Sequence, residues 1–270
     1  MEPEASTIRA FCERVLLRGD LEAKLAGAPA DLRDDDPGPA RQIDAPARDE
    51  GLRLSSGAEK LPKPGALHDA AARARCLARF AHHELMAVEL FAWALLRWPE
   101  LPSGLRRALF HVLGEEQLHC RLYLERLEAH GARLADHPRS DYFWKHVGTI
   151  AEAEDGPRAF LCAMGLTLEQ ANLDFSALYR DAFREAGDEA SAAVCERVHQ
   201  DEIRHVRIAG RWLRALSGDA SDLEAYEACV PFPFGTNRAK GRRFDAEARR
   251  EAGLSEAFIE AVRGGGPRVE

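Results

Sequence analysis

Glu115-Glu116-x-x-His119 and Asp201-Glu202-x-x-His205 are two copies of one pattern, a carboxylate followed three residues later by an imidazole. Residues three apart on a helix share a face, so each copy can present both groups to one ion. Two Glu-x-x-His motifs, with one further Glu from each of two other helices, form the ligand set of a dinuclear metal site in a four-helix bundle. Glu84 and Glu169 are the candidates for the lone carboxylates. Glu84 precedes Glu116 by 32 positions and Glu169 precedes Glu202 by 33, while 85 or 86 positions (84 to 169, 116 to 202) separate the equivalent residues. The chain therefore reads as a duplicated helical hairpin, each half supplying Glu and then Glu-x-x-His. Four carboxylates and two imidazoles are hard oxygen and borderline nitrogen donors, suited to iron or manganese rather than to structural zinc. Two Fe ions are expected, and a Mn/Fe or Mn/Mn pair suits the same donors. Two carboxylates can bridge the metals while the others cap them, which leaves positions open for dioxygen or a peroxide.

Helices must carry these groups with their ligand faces inward, and periodicity tests this. Leu77, Phe80, Glu84, Val88, Phe91 and Leu95 recur at helical spacing, as do Leu105, Leu109, Val112, Glu116, His119 and Tyr123. A third stripe is Val194, Val198, Glu202, His205, Ala209 and Trp212. A charged group in an apolar stripe is costly unless it is paired or metal-bound. Glu89 rivals Glu84, because it lies on a neighbouring apolar stripe with Leu85, Met86, Ala92 and Trp93. In bundles of this type an acidic residue before the motif glutamate often receives the opposite histidine's ring N–H. On that pattern Asp201 would orient His119 and Glu115 would orient His205.

The elements follow. Residues 6–26 can form one amphipathic helix, and residues 28–65 collect prolines, glycines and Asp34-Asp35-Asp36, as an extended wrapping loop or a mobile linker would. Helices are expected over about 67–98, 103–130, 157–186 and 188–216. Ser103 is the expected N-cap of the second, Pro157 opens the third, and Gly131, Gly187 and Gly218 are stops. A connector over 132–156 contains Tyr142-Phe143-Trp144, and the last 50 residues read as short helices and loop. The expected architecture is all-α: a four-helix bundle over 66–218, preceded by an N-terminal helix and Pro/Gly-rich segment (1–65) and followed by a C-terminal extension (219–270).

Composition narrows the class of function. The formal charge of −8 argues against a general nucleic-acid binder. No apolar run approaches the ~18 residues of a membrane helix, and Met1-Glu2-Pro3-Glu4 lacks the basic and apolar regions of a signal peptide. The six cysteines (12, 76, 120, 162, 195 and 229) contain no C-x-x-C pair. Reduced thiols in a cytoplasmic protein, with no membrane partner, are expected.

At the ligand positions the sequence resembles the ferritin-like di-iron superfamily, and within it a bacterial ferritin-like family of unknown function. The matching segments are Ala81-His82-His83-Glu84-Leu85-Met86-Ala87-Val88-Glu89-Leu90, Glu115-Glu116-Gln117-Leu118-His119, Leu168-Glu169-Gln170-Ala171-Asn172-Leu173-Asp174-Phe175 and Asp201-Glu202-Ile203-Arg204-His205. Pro231-Phe232-Pro233-Phe234 and Lys240-Gly241-Arg242-Arg243-Phe244 also fit, so the likeness covers most of residues 65–260. The chain is more distantly similar to the di-iron tRNA hydroxylase that oxidises a hypermodified adenosine. There the first-helix ligand stands fifteen residues before an Arg-aromatic-Pro helix end. Arg97-Trp98-Pro99 places that ligand at Glu84, and the third-helix pattern of Glu, four residues and an acid matches Glu169 and Asp174.

The resemblance implies an O2-activating oxidase or oxygenase. Its substrate would be a small organic molecule or a modified nucleoside, with electrons from a ferredoxin or reductase, and the protein could be a homodimer. A ferroxidase or iron-handling protein, and a non-catalytic interaction module, are the alternatives. Cys162, Gly165, Asn172 and Ser176 lie on the face of Glu169, where small and polar residues either leave room for substrate or allow close helix packing. Tyr123, four residues after His119, has the offset of a radical-forming tyrosine but also fits an ordinary core aromatic. Cys162 and Cys195 each precede a ligand glutamate by seven residues, and buried cysteine commonly acts as a small hydrophobe. The run Arg238, Lys240, Arg242, Arg243, Arg249 and Arg250 could grip phosphate or RNA, or form a solvated face paired with Asp245 and Glu247. His82, His83 and His111 receive no role.

Overall fold

The computed structural model describes residues 5–29, 32–55 and 60–266. The reading of Met1-Glu2-Pro3-Glu4, and part of that of the Pro/Gly-rich segment, lie outside them. The protein is all-α, and the extended contacts among the described residues are two isolated bridges, Thr7 with Arg33 and Ser55 with Ser140. The chain divides into two compact units, one ending at Val147 and the other beginning at Gly148.

The first unit is built on a helical hairpin, here α3 (Ala70–Arg97) and α4 (Ser103–Ala129). Asp69 caps α3, accepting from the amides of Ala71 and Ala72, and the helix stops at Trp98, where Pro99 disfavours further helix. Most of α3 is buried, as its nearly continuous apolar sequence requires. The N-cap of α4 is Pro102 and not Ser103, which becomes the first helical residue. Pro102 presets the extended entry, and its carbonyl accepts from the Arg106 amide at 3.0 Å to start the helical ladder. Gly131, at φ +71°, closes the helix as expected.

Residues 6–26 form two helices and not one: α1 (Ile8–Leu17) and α2 (Leu21–Leu25). Asp20 starts the second by capping the Ala23 amide at 2.7 Å. Gly19, at the break, lies so close to Asp49 that a Cβ would stand 2.1 Å from the Asp49 carboxylate. Beyond α2 the chain is tied down by long-range polar contacts. Arg106 binds Asp34 through two nitrogens (2.9 and 2.7 Å), Trp93 donates to the Ile43 carbonyl at 3.1 Å, and the Ala47 amide bonds the Leu16 carbonyl at 2.8 Å. The described part of the Pro/Gly-rich segment is thus a wrapping strap anchored by specific bonds.

The short helix α5 (Val147–Ala151) leads into the second unit. There α6 (Gly156–Phe160) begins under an Asp155 cap, with Pro157 as its second residue. The helix then widens into a nine-residue π-helical stretch, Leu161–Glu169, before continuing as α7 (Gln170–Glu185). The expected single α-helix over 157–186 is therefore interrupted. Its partner α8 (Glu189–Leu216) is capped by Asp188, and Gly187 and Gly218 have positive φ as the stop signals required. Three short helices, α9 (Asp222–Cys229), α10 (Ala246–Glu251) and α11 (Glu256–Gly264), complete the unit. Among the described residues no helix is long and apolar enough to cross a membrane.

Candidate metal centre

In the first unit α3 contributes Glu84 and α4 contributes Glu116 and His119, one turn apart. All three are buried, Glu116 and His119 completely. One donor atom from each lies within 4.8 Å of the others, and His119 Nδ1 stands 3.6 Å from Glu116 Oε2. That separation is too long for a hydrogen bond, and it is a natural distance between two donors to a shared cation.

The second unit repeats the arrangement. Glu169, the last residue of the π-helical stretch, joins Glu202 and His205 of α8, again with donor atoms within 4.8 Å of one another. His205 Nδ1 is 3.4 Å from Glu202 Oε2. Asn172, one turn after Glu169, donates from Nδ2 to Glu202 Oε1 at 2.7 Å. Glu202 Oε2 is buried and accepts no hydrogen bond among the described residues. Two carboxylates crowded together away from water repel each other, and a divalent cation removes that penalty. The donor set of each cluster, two carboxylates and an imidazole, fits iron or manganese.

The π-helical stretch is held by one local and one long-range bond of Thr167. Thr167 Oγ1 donates to the Cys162 carbonyl, five residues back, at 2.8 Å, and lies 2.7 Å from the buried Tyr226 hydroxyl. Gly165 is pressed on α8, where an added Cβ would stand 2.2 Å from Ala209 Cβ. Close packing is thus the use made of Gly165.

Glu89, the rival of Glu84, is committed elsewhere. It is fully buried, accepts two bonds from Arg48 (3.0 and 2.7 Å) and one from Trp144 Nε1 (2.8 Å), and pairs with the buried Lys24 at 3.1 Å. Desolvation pulls the Lys24 ammonium below its ordinary pKa, against the opposing pull of Glu89. Asp174 is likewise saturated. Its oxygens bind Arg249 at 2.8 and 3.0 Å and take the amides of Asp245 and Gly241, each at 2.7 Å. The long-range partners of Glu89 and Asp174 leave no cue in local sequence.

Asp201 is buried and receives Arg197 Nε at 2.6 Å and Arg204 Nη2. Glu115 is partly buried, 3.5 Å from His111 Nε2. Tyr123 is buried with its ring 5.2 Å from that of Phe80. Cys162 and Cys195 are buried free thiols, and burial raises the Cys162 pKa well above its usual value. His82 donates toward the Ser140 carbonyl at 2.7 Å, and burial, reinforced by Arg48, pushes its pKa down to about 3. Much of the basic run is internally paired: Arg243 with Asp181, Arg249 with Asp174, and Arg250 with Glu247 and Glu256. Lys240 donates to the Arg263 carbonyl at 2.6 Å. Arg242, Arg243 and Arg250 are exposed, as a solvated face requires, and Arg250 pairs with Glu247 as expected, whereas Arg249 is buried and its carboxylate partner is Asp174, not Asp245. The hydrogen bond from Asn172 to Glu202 was missed in the sequence, although a polar residue one turn after Glu169 was its visible trace.

A family model described as a protein of unknown function (DUF455) matches residues 9–260, so the chain belongs to that family. No curated protein and no solved structure matches it.

Proposed function

We propose that this DUF455 protein is a ferritin-like, non-haem di-iron oxidase or oxygenase acting on an organic substrate. One observation carries the reading: each half of the chain buries a Glu, Glu, His triad in the same order, Glu84, Glu116 and His119, then Glu169, Glu202 and His205. Chance places one buried carboxylate–histidine pair on a helix readily, but not two complete sets in register with a sequence duplication. The six residues would hold two iron ions, and the same donors accept manganese. When bound, reduced iron would supply electrons and open coordination positions for dioxygen. The residues themselves fix the donors before any ion arrives, since each lies on a helix and Glu202 is held by Asn172. The reaction also calls for an external electron donor, a ferredoxin or reductase, and we assign the protein to the cytoplasm.

The test is metal analysis of protein produced in iron-supplemented medium, then anaerobic reduction and exposure to O2 with optical and oxygen-electrode monitoring. About two irons per chain are expected, with O2 uptake and a transient visible absorption. Glu116→Ala and Glu202→Ala should each abolish binding of the pair, and unchanged stoichiometry in both would refute the ligand assignment. Sustained iron turnover without an organic substrate would favour a ferroxidase. No metal, or a single zinc, would favour an interaction module.

A further inference from the structure

The two halves are not equivalent around their second glutamates, and Asn172 makes the difference. Counting three residues on from each lone glutamate gives Ala87 after Glu84 and Asn172 after Glu169. Ala87 has no donor. The Asn172 side-chain amide donates to Glu202 Oε1 at 2.7 Å, while the Asn172 backbone carbonyl accepts from Ser176 Oγ at 2.6 Å. An ionised carboxylate only accepts hydrogen bonds, so the amide must present its NH2 group to Glu202. The consequence is a division of labour within one carboxylate. Oε1 is engaged by the amide, and Oε2, buried and without a hydrogen bond among the described residues, lies 3.4 Å from His205 Nδ1.

The geometry points to Asn172 as a positioning residue that commits Glu202 to bind metal through Oε2 alone and so makes the two metal positions chemically distinct. This rests on the metal reading above. Orientation of a ligating carboxylate by a hydrogen-bonded neighbour commonly changes metal affinity by about 10–100-fold. An oxygen held by an amide is also a weaker donor, which disfavours chelation by both oxygens of Glu202. Glu116, with Ala87 at the equivalent place, has no such donor from that position.

Cobalt(II) serves as the probe, because its visible spectrum reports coordination. Metal-free parent, Asn172→Asp, Asn172→Ala, Ser176→Ala and Glu202→Gln would each be titrated with cobalt(II) under a competing chelator. Asn172→Asp keeps the shape but loses the donor; Asn172→Ala covers the case in which that variant fails to fold; Ser176→Ala controls for disturbance of α7. Both Asn172 variants should weaken one cobalt of the pair by about 10–100-fold and change its visible band. Ser176→Ala should leave affinity and spectrum as in the parent. Affinity and spectrum unchanged in both Asn172 variants, with binding lost in Glu202→Gln, would overturn the positioning role alone. Parent-like binding by Glu202→Gln would overturn the metal reading with it.

Discussion

At the scale of single residues, buried charge separates two kinds of glutamate on α3. Glu89 is surrounded by donors from within the protein, namely Lys24, Arg48 and Trp144. Removing one partner of a buried ion pair strands the others, at a typical cost of about 3–5 kcal/mol. Glu89→Gln should therefore lower the stability of the metal-free protein by roughly that amount in urea denaturation. Glu84→Gln should cost far less stability yet lose metal, and a reversal of this order would exchange their roles. His82 makes a second prediction. Its folded pKa of about 3 lies below the ordinary value near 6.5, so the unfolded chain binds the proton first as pH falls. Stability is then complete above about pH 6.5 and declines toward pH 3, by up to ~1.4 kcal/mol per pH unit from this residue. Denaturation of metal-free protein between pH 7 and 5 should show a flatter slope in His82→Gln. Equal slopes would remove His82 as the cause.

At the scale of elements, the π-helical stretch Leu161–Glu169 sets the direction of Glu169. Each α-helical residue advances about 100° around the axis, and a π-helical turn accommodates an extra residue without turning the rest of the helix. The bonds of Thr167 to the Cys162 carbonyl and Tyr226 hold that wider turn. Thr167→Val, which removes both bonds but keeps the extra residue, should let the stretch relax to regular α-helix, with either Glu169 or the residues before it rotated by about 100°. Circular dichroism should then show helicity retained while metal analysis shows the second cluster's ion lost. Full metal content in Thr167→Val would mean that the widened turn is incidental.

At the scale of the whole molecule, each terminal extension is fastened to its own hairpin. The N-terminal strap is anchored in the first unit by Asp34 on Arg106 and Arg48 on Glu89. In the second unit Arg249, fully buried, spans Asp174 and the carbonyls of Gln170, Ala239 and Asp245 and stacks on Phe244 at 4.1 Å. Arg249→Ala should destabilise by about 3–5 kcal/mol, since it leaves Asp174 buried and uncompensated. Limited proteolysis should then cut first within residues 239–250, and an unchanged digestion pattern with parent-like stability would reduce the tether to a passive contact.

Helical periodicity made the helices, their glycine stops and the six candidate ligands legible in the sequence, because a three-residue spacing maps directly onto one helix face. The broken N-terminal helix and the Pro102 cap were less visible, since both depend on neighbours distant in sequence or on a competing cap. Only the tertiary structure showed that Glu89 is already satisfied, because Lys24, Arg48 and Trp144 reach it from far along the chain. It alone fixed the widened turn before Glu169, where Tyr226 meets Thr167, and the use of Asn172 as a donor to Glu202. Local spacing selects which side chains can share a face; long-range packing determines which of them are already satisfied and which remain to bind something else.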